Sequence, residues 1–132
     1  GSAYERSTIQ DVLNMSTALG FQEEYVDTTS FYQKFYAPLN GLNYSPKPES
    51  EVMTTDVWGS YDFLAKQATS NKEMKPGYKF EYNSTNTDVA GWLISRISGK
   101  SFAEFIHENI WAYIGAEHDA YLTVDRAYMG VA

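Results

Sequence analysis

Start and stop signals for two consecutive helices occupy the second half of the chain, and they constrain the fold more than any other feature. Asn83 or Ser84 can cap the first helix, and Gly99 stands where a left-handed C-terminal residue belongs. Ser101 and Glu104 have the spacing of a capping box, which opens the second helix. Between these signals the apolar residues follow helical spacing: Val89, Ala90, Leu93, Ile97, Phe105, Ile106, Ile110 and Tyr113.

Two further helices are predicted in the N-terminal third of the chain. The segment Ser7-Thr8-Ile9-Gln10 has the spacing of a capping box, and an apolar stripe follows it, so a helix is expected near residues 8–18. A second run starts at Asp27 or Thr28 and places aromatic residues at helical spacing. Pro38 marks where this helix must stop or kink, because proline has no backbone N–H to donate.

The middle of the chain combines a loop, a helix and an extended segment. Residues 40–50 carry the Gly and Pro signals of a loop, and a helix is expected from Thr55 or Asp56. The predicted buried face of this helix consists of Val57, Tyr61, Leu64, Ala65 and Ala68. Residues 78–82 alternate aromatic and charged side chains, as in a very short strand or an extended segment. Since 132 residues are enough for one domain and too few for two, we predict a single, mostly α domain over residues 1–132 with at most short strands.

Charge and composition exclude several classes of partner. A net charge of −7 repels phosphate backbones, so we expect no nucleic-acid binding. No apolar run approaches the roughly 20 residues that span a bilayer, so we expect no membrane partner. The chain has no Cys, which excludes disulfides and thiolate zinc sites. Aromatic residues make up 16% of the chain, and such rings gather in clefts and at contact faces.

The chain lacks the common nucleophile motifs, since neither Gly-x-Ser-x-Gly nor Ser-x-x-Lys occurs at any serine. His107 is followed by Trp111 where a zinc-binding His-Glu-x-x-His helix needs histidine, and His118 lies farther along the chain. We therefore predict no metal and no cofactor. Residues 98–101 end in the Gly-Lys-Ser of a phosphate-binding loop, but the upstream glycine and strand are missing, so helix punctuation explains them better.

One stretch is specific enough to indicate a family. Residues 76–94 read Pro-Gly-Tyr-Lys-Phe-Glu-Tyr-Asn-Ser-Thr-Asn-Thr-Asp-Val-Ala-Gly-Trp-Leu-Ile. They resemble the second motif region of the serine beta-lactamase and penicillin-binding-protein superfamily, in its class C and esterase branch, with Tyr82 on the tyrosine of the Tyr-x-Asn motif. The resemblance extends to residues 8–15 and 98–102 and covers nearly the whole chain.

Within that superfamily, two details resemble the 6-aminohexanoate-dimer hydrolases. Residues 115–125, Gly-Ala-Glu-His-Asp-Ala-Tyr-Leu-Thr-Val-Asp, look like a segment typical of those enzymes. The third motif position is Ser84 rather than Asn, as in amide hydrolases and carboxylesterases and unlike class C beta-lactamases. The resemblance therefore implies amide or ester hydrolysis rather than cleavage of lactam antibiotics.

The resemblance also implies roles for individual side chains. A serine hydroxyl is a poor nucleophile until a base removes its proton, and a tyrosine serves as that base only beside positive charge, which the family supplies with the lysine of Ser-x-x-Lys. Tyr82 is expected to deprotonate the serine and later to protonate the leaving group. Ser84 and Asn83 are expected at the substrate, Ser84 also as a helix cap, and Tyr36 either covers the substrate or packs in the core.

The sequence resembles only the helical part of such an enzyme, between its nucleophile helix and its later strands. The implied partners are therefore a small amide or ester substrate and the missing α/β half of the same protein. A helical half by itself is expected to be inactive and to self-associate or lose stability, since its apolar contact face is uncovered. A helical module that binds a ligand or a protein without catalysis remains the alternative. The cellular compartment stays open.

Overall fold

The computed structural model describes residues 2–40, 59–66 and 70–124, without the side chains of Leu39 and Lys66. Within these ranges, five α-helices follow one another in chain order: α1 (Ile9–Leu13), α2 (Ala37–Leu39), α3 (Ser60–Lys66), α4 (Ser84–Ser98) and α5 (Phe102–Asn109). The same described residues also form two 3₁₀ turns (Ala3–Arg6 and Trp111–Tyr113) and a π-helical turn (Tyr32–Tyr36). An isolated antiparallel bridge joins Leu19 to Ser70. The predicted mostly α fold is confirmed.

The two helices of the second half begin as predicted, but only the first also ends as predicted. Asn83 caps α4, because its side chain accepts a hydrogen bond from the backbone N–H of Thr85. Gly99 ends α4 in the left-handed conformation with φ of 70°. Ser101 and Glu104 form the predicted capping box at the start of α5, which ends at Asn109 rather than near Gly115 as the sequence predicted. Local sequence signals therefore place α4 and the start of α5.

The first helix is shorter than predicted, and its capping box is shifted by one residue. Thr8 and Asp11 form the box instead of Ser7 and Gln10. The helix ends at Leu13 rather than near residue 18, and Met15 then adopts a left-handed φ of 50°. The carbonyl of Met15 instead accepts a hydrogen bond from the N–H of Glu81 at 2.8 Å. Pairing with a distant segment therefore replaces the last predicted turns of this helix.

The aromatic segment becomes helical later than predicted and continues past its proline. Asp27 accepts hydrogen bonds from the backbone and hydroxyl of Thr29, which holds a turn where the helix was expected to start. A π-helical turn follows at residues 32–36. Pro38 lies in the first turn of α2, where a missing N–H costs little, so the proline neither ends nor breaks the helix.

The third helix is described from Ser60, while the expected starting residues 55 and 56 and the predicted loop from residue 41 to 50 lie outside the described residues. Its buried face differs from the prediction. Phe63 is 0% and Leu64 6% exposed, whereas Tyr61 is 51% exposed. The helix is thus rotated so that Phe63, rather than Tyr61, enters the core.

The core is an aromatic cluster built around Phe63. The ring centroid of Phe63 lies 5.5 Å from that of Tyr36, 5.7 Å from Phe31 and 6.0 Å from Phe21. Offset and edge-to-face rings at such distances contribute roughly 0.5–1.5 kcal/mol per pair beyond the burial of their area. These four rings therefore connect the π-helical turn and the residues before it with α3.

Buried hydrogen bonds tie the first half of α4 to the rest of the core. Asp88 accepts a short hydrogen bond from the hydroxyl of Tyr36. The hydroxyl of Tyr4 lies 2.8 Å from that of Thr85, and the hydroxyl of Thr17 donates to Asn86 at 2.8 Å. Because buried polar groups are costly without partners, this network defines one position of α4 against the N-terminal segments.

The described residues 78–82 form neither a helix nor a strand, so of the two predicted forms, a very short strand or an extended segment, the strand is absent. Hydrogen bonds from the N–H groups of Gly77 and Glu81 to the carbonyls of Ser16 and Met15, both 2.8 Å, hold this segment against the chain after α1. Tyr78 and Phe80 are 81% and 65% exposed.

Among the residues that the structure describes, no helix combines the length and apolarity that a bilayer span requires.

Candidate active site

Tyr82 lies at the end of the segment of residues 78–82, two residues before the start of α4, and its side chain is 57% exposed. The backbone bond from Glu81 to Met15 fixes the residue just before it. The ring therefore stands on an anchored segment with its face open to solvent. The phenol of Tyr82 is therefore accessible from the solvent.

Asn83 is turned away from that surface. It is 2% exposed, and its Oδ1 accepts hydrogen bonds from the N–H and the hydroxyl of Thr85 at 3.1 and 2.7 Å. Its Nδ2 donates to the carbonyl of Phe21 at 3.4 Å. The predicted capping role is confirmed, and the side chain is fully engaged in holding the start of α4.

Ser84 is the first residue of α4 and is half-buried against Glu23. The N–H of Ser84 donates to Oε2 of Glu23 at 2.6 Å, and its hydroxyl donates to Oε1 of the same residue at 2.6 Å. A carboxylate at this place is favourable because unpaired N–H groups and the helix dipole make a helix N-terminus electropositive. Glu23 therefore caps α4 from a loop 61 residues earlier in the chain.

Tyr25 joins the same cluster. Its hydroxyl donates to Oε1 of Glu23 at 2.8 Å, and its side chain is 59% exposed. This hydrogen bond to a carboxylate, together with burial and the Glu23 charge, raises the pKa of Tyr25 to about 12. Tyr25 is thus linked through Glu23 to Ser84, two residues after Tyr82.

Sequence reasoning missed Glu23 and Tyr25. Neither residue belongs to a recognisable motif, and both lie in an irregular loop before the aromatic helix. Their connection to Ser84 spans about sixty residues, so no local spacing could reveal it. The one available signal was the unpaired N-terminus of a strongly predicted helix, which attracts an acidic side chain from elsewhere.

Tyr36 lies apart from this surface. It is 2% exposed, stacks on Phe63 and donates its hydroxyl to Asp88. Burial and the adjacent Asp88 carboxylate raise the pKa of Tyr36 far above its usual range. Of the two roles predicted for this residue, its position corresponds to core packing.

The space beside Tyr82 is small. A cavity of about 20 Å³ is lined by Thr17, Ala18, Leu19, Phe21, Gln22, Glu81, Tyr82 and Asn83. That volume holds roughly one water molecule, since a water needs about 10–15 Å³. The cavity beside Tyr82 is therefore too small for an organic ligand.

The other sequence patterns have structural explanations. In the described ranges, no group of three or more His, Asp or Glu side chains is arranged to hold a metal ion. Gly99 and Ser101 end α4 and start α5, and Lys100 pairs with Glu108 on α5. The interpretation of residues 98–101 as helix punctuation is therefore confirmed.

Comparison with known proteins extends this description. A family model described as beta-lactamase matches residues 1–127. A 6-aminohexanoate-dimer hydrolase from Paenarthrobacter ureafaciens is 30% identical over 132 residues, which are 100% of this chain and 31% of that protein. A Bacillus anthracis protein, provisionally named a 6-aminohexanoate-dimer hydrolase, has the same fold over 98% of this chain and 35% of its own, with a TM-score of 0.70 and 22% identity.

The chain spans about a third of the length of these two relatives. The family model nevertheless covers nearly all of it, and the motif around Tyr82 lies inside the matched residues. The chain therefore belongs to the beta-lactamase family and carries a helical part of that hydrolase fold.

Proposed function

We propose that this chain is the substrate-covering helical part of a serine hydrolase that cleaves small amides or esters through an acyl-enzyme. Tyr82 takes the proton of the attacking serine and returns it to the leaving group. The serine and the lysine that activates it come from outside these 132 residues, because no Ser-x-x-Lys occurs in the sequence. The chain by itself is therefore inactive in acyl transfer.

The position of Tyr82 is the observation that carries this proposal. A proton-transfer group must come within about 2.6–3.2 Å of the proton that it moves, so it has to be accessible and held in place. Tyr82 meets both conditions with 57% exposure and an anchored neighbour, Glu81. Ser84 follows Tyr82 by two residues and is the first residue of α4, where it contributes a hydrogen bond to the substrate or to the lysine. Asn83 caps α4 and thereby positions both residues.

Exposed apolar side chains support an α/β half of the same enzyme as the partner. Ile9 and Leu13 lie one helical turn apart on α1 and are 58% and 63% exposed, and Phe80 beside Tyr82 is 65% exposed. Uncovered apolar surface of this kind marks an interaction site or promotes aggregation. We therefore expect the isolated chain to self-associate or to unfold easily. A monomeric sedimentation profile with a high, cooperative melting transition contradicts this expectation.

A helical binding module without catalysis is the alternative function, and it needs a pocket. Two open clefts among the described residues have volumes of about 210 and 230 Å³. Small-molecule sites are usually larger, roughly 300–1,000 Å³. These two clefts are therefore smaller than usual ligand sites. A natural gene that encodes these residues alone favours the binding module instead.

Hydrolysis of p-nitrophenyl acetate tests the proposal. We expect turnover by the full-length gene product, no turnover by the isolated 132 residues, and a loss of about 10²–10⁴-fold in kcat/KM for Tyr82→Phe in the full-length protein. Tyr78→Phe is the matched control, because it removes a hydroxyl from the same segment at a residue that is 81% exposed. Turnover by the isolated chain that survives Tyr82→Phe contradicts the assignment.

A further inference from the structure

The two oxygens of Glu23 have different hydrogen-bond partners. Oε2 accepts from the N–H of Ser84 at 2.6 Å. Oε1 accepts from two hydroxyls, that of Ser84 at 2.6 Å and that of Tyr25 at 2.8 Å. One oxygen thus holds the helix backbone, while the other holds two side chains at the surface beside Tyr82.

This division determines the direction of both hydroxyls. A carboxylate can only accept hydrogen bonds, so Ser84 and Tyr25 each direct their single proton to Glu23. The lone pairs of the two oxygens are then left for other groups. Each oxygen can receive a hydrogen bond from a substrate or an active-site lysine, but neither can donate one.

We infer that Glu23 is a positioning residue that holds Ser84 and Tyr25 as hydrogen-bond acceptors at the surface beside Tyr82. The inference rests on the proposed function for its catalytic meaning, but its geometry stands on the three bonds to Glu23. The two hydroxyl oxygens therefore bind groups that donate hydrogen bonds, such as an ammonium or an N–H group. Groups that only accept hydrogen bonds are disfavoured there.

The substitution Glu23→Gln separates positioning from structural support. The side-chain amide has the same shape, so its oxygen still accepts from the N–H of Ser84 and keeps the helix capped. Its NH₂ group replaces Oε1 and donates two hydrogen bonds, one to each hydroxyl. Ser84 and Tyr25 then direct their protons outward. One isosteric change therefore reverses both hydroxyls without removing the cap.

A matched control lies next to Glu23 in the chain. Glu24 also uses its carboxylate to accept backbone hydrogen bonds, from Val26 at 2.8 Å and from Asp27 at 3.4 Å. These contacts stay within the loop and do not include α4. Glu24→Gln therefore makes the same chemical change in the same loop, away from Ser84 and Tyr25.

NMR of the full-length gene product tests the geometry without any enzyme activity. We expect Tyr25 to titrate near 12 in the natural protein and at a lower pH in Glu23→Gln, because its hydroxyl no longer faces a carboxylate. The amide proton of Ser84 should shift in the same variant. Neither signal should change in Glu24→Gln. Unchanged signals in Glu23→Gln overturn the inference.

Kinetics of the full-length gene product test the catalytic meaning. We expect Glu23→Gln to lower kcat/KM about 10- to 100-fold in a protein that stays folded with a slightly lower melting temperature, since the amide keeps the helix cap without its charge and each reversed hydroxyl forfeits a hydrogen bond to the reacting groups. Glu24→Gln should keep full activity. Full activity in a Glu23→Gln protein with altered NMR signals overturns the positioning role. A natural protein without hydrolase activity refutes the proposed function instead, while the NMR result still decides the geometry.

Discussion

The two halves of the helical domain are stabilised in different ways. The aromatic core places Tyr36 and Phe63 at 2% and 0% exposure, and α4 has five buried residues, of which Val89 belongs to the core cluster. By contrast, none of the residues of α5 is buried, although its capping box is complete and it packs against α4. The core depends on contacts between distant segments, whereas α5 adds no buried residue to it. The proposed site lies in the first region, because Tyr82 and Ser84 lie at the start of α4.

The largest effect is expected from Phe63→Ala in the core. The substitution removes a ring that contacts three other aromatic rings, so we expect a loss of roughly 3–5 kcal/mol in the free energy of unfolding. Chemical denaturation measures this loss. Phe105→Ala on α5 is the comparison and should cost less, because Phe105 is only half-buried. Equal losses contradict the difference between the two regions.

A smaller effect is expected from Tyr36→Phe, which removes the hydroxyl that donates to Asp88. Hydrogen bonds to charged groups contribute about 1.5–3 kcal/mol, so the variant should lose that amount at neutral pH. Denaturation curves measure it. Tyr113→Phe, at a residue 79% exposed in the turn after α5, should change stability by less than about 0.5 kcal/mol.

The same variant has a defined pH dependence. The folded pKa of Tyr36 is raised above its unfolded value of about 10, mainly by burial, so its contribution is complete below that pH. The contribution is lost as the pH rises above about 10. The natural chain and Tyr36→Phe should therefore converge in stability in alkali. A difference that grows with pH contradicts this assignment.

The smallest effect is expected from Ser101→Ala, which removes the capping box of α5. We expect the free energy of local unfolding of α5 to fall by about 1 kcal/mol. Amide exchange should become faster in that helix alone, because none of its residues is buried. Hydrogen exchange measured by NMR resolves the location. Thr8→Ala removes the equivalent box of α1, whose Val12 is buried, and should also weaken protection in the core. Faster exchange throughout α4 in Ser101→Ala refutes the independence of α5.

Sequence reasoning succeeded where the signal is local. The caps at Asn83 and Ser101 and the glycine at Gly99 each act within a few residues, so α4 and the start of α5 were predicted closely. The length of α1 was wrong because Met15 pairs with Glu81, which lies far along the chain. The rotation of α3 was also missed, since helical spacing alone does not tell which side meets the core.

The candidate site shows the same division. Tyr82, Asn83 and Ser84 were found from one continuous motif, while Glu23 and Tyr25 were not. A carboxylate in a loop can bind any exposed helix N-terminus, so its partner depends on how the chain folds. The predicted contact of Tyr36 with substrate remains a prediction, and its hydroxyl is engaged by Asp88.

The amino-acid sequence by itself determined the family, the mostly α fold and the tyrosine beside a helix start, because each depends on a short run of neighbouring residues. Only the tertiary structure decided which aromatic rings enter the core and which carboxylate caps α4. Such contacts join residues far apart in the chain, 61 positions in the case of Glu23 and Ser84, and their free energy is gained only when the whole domain packs.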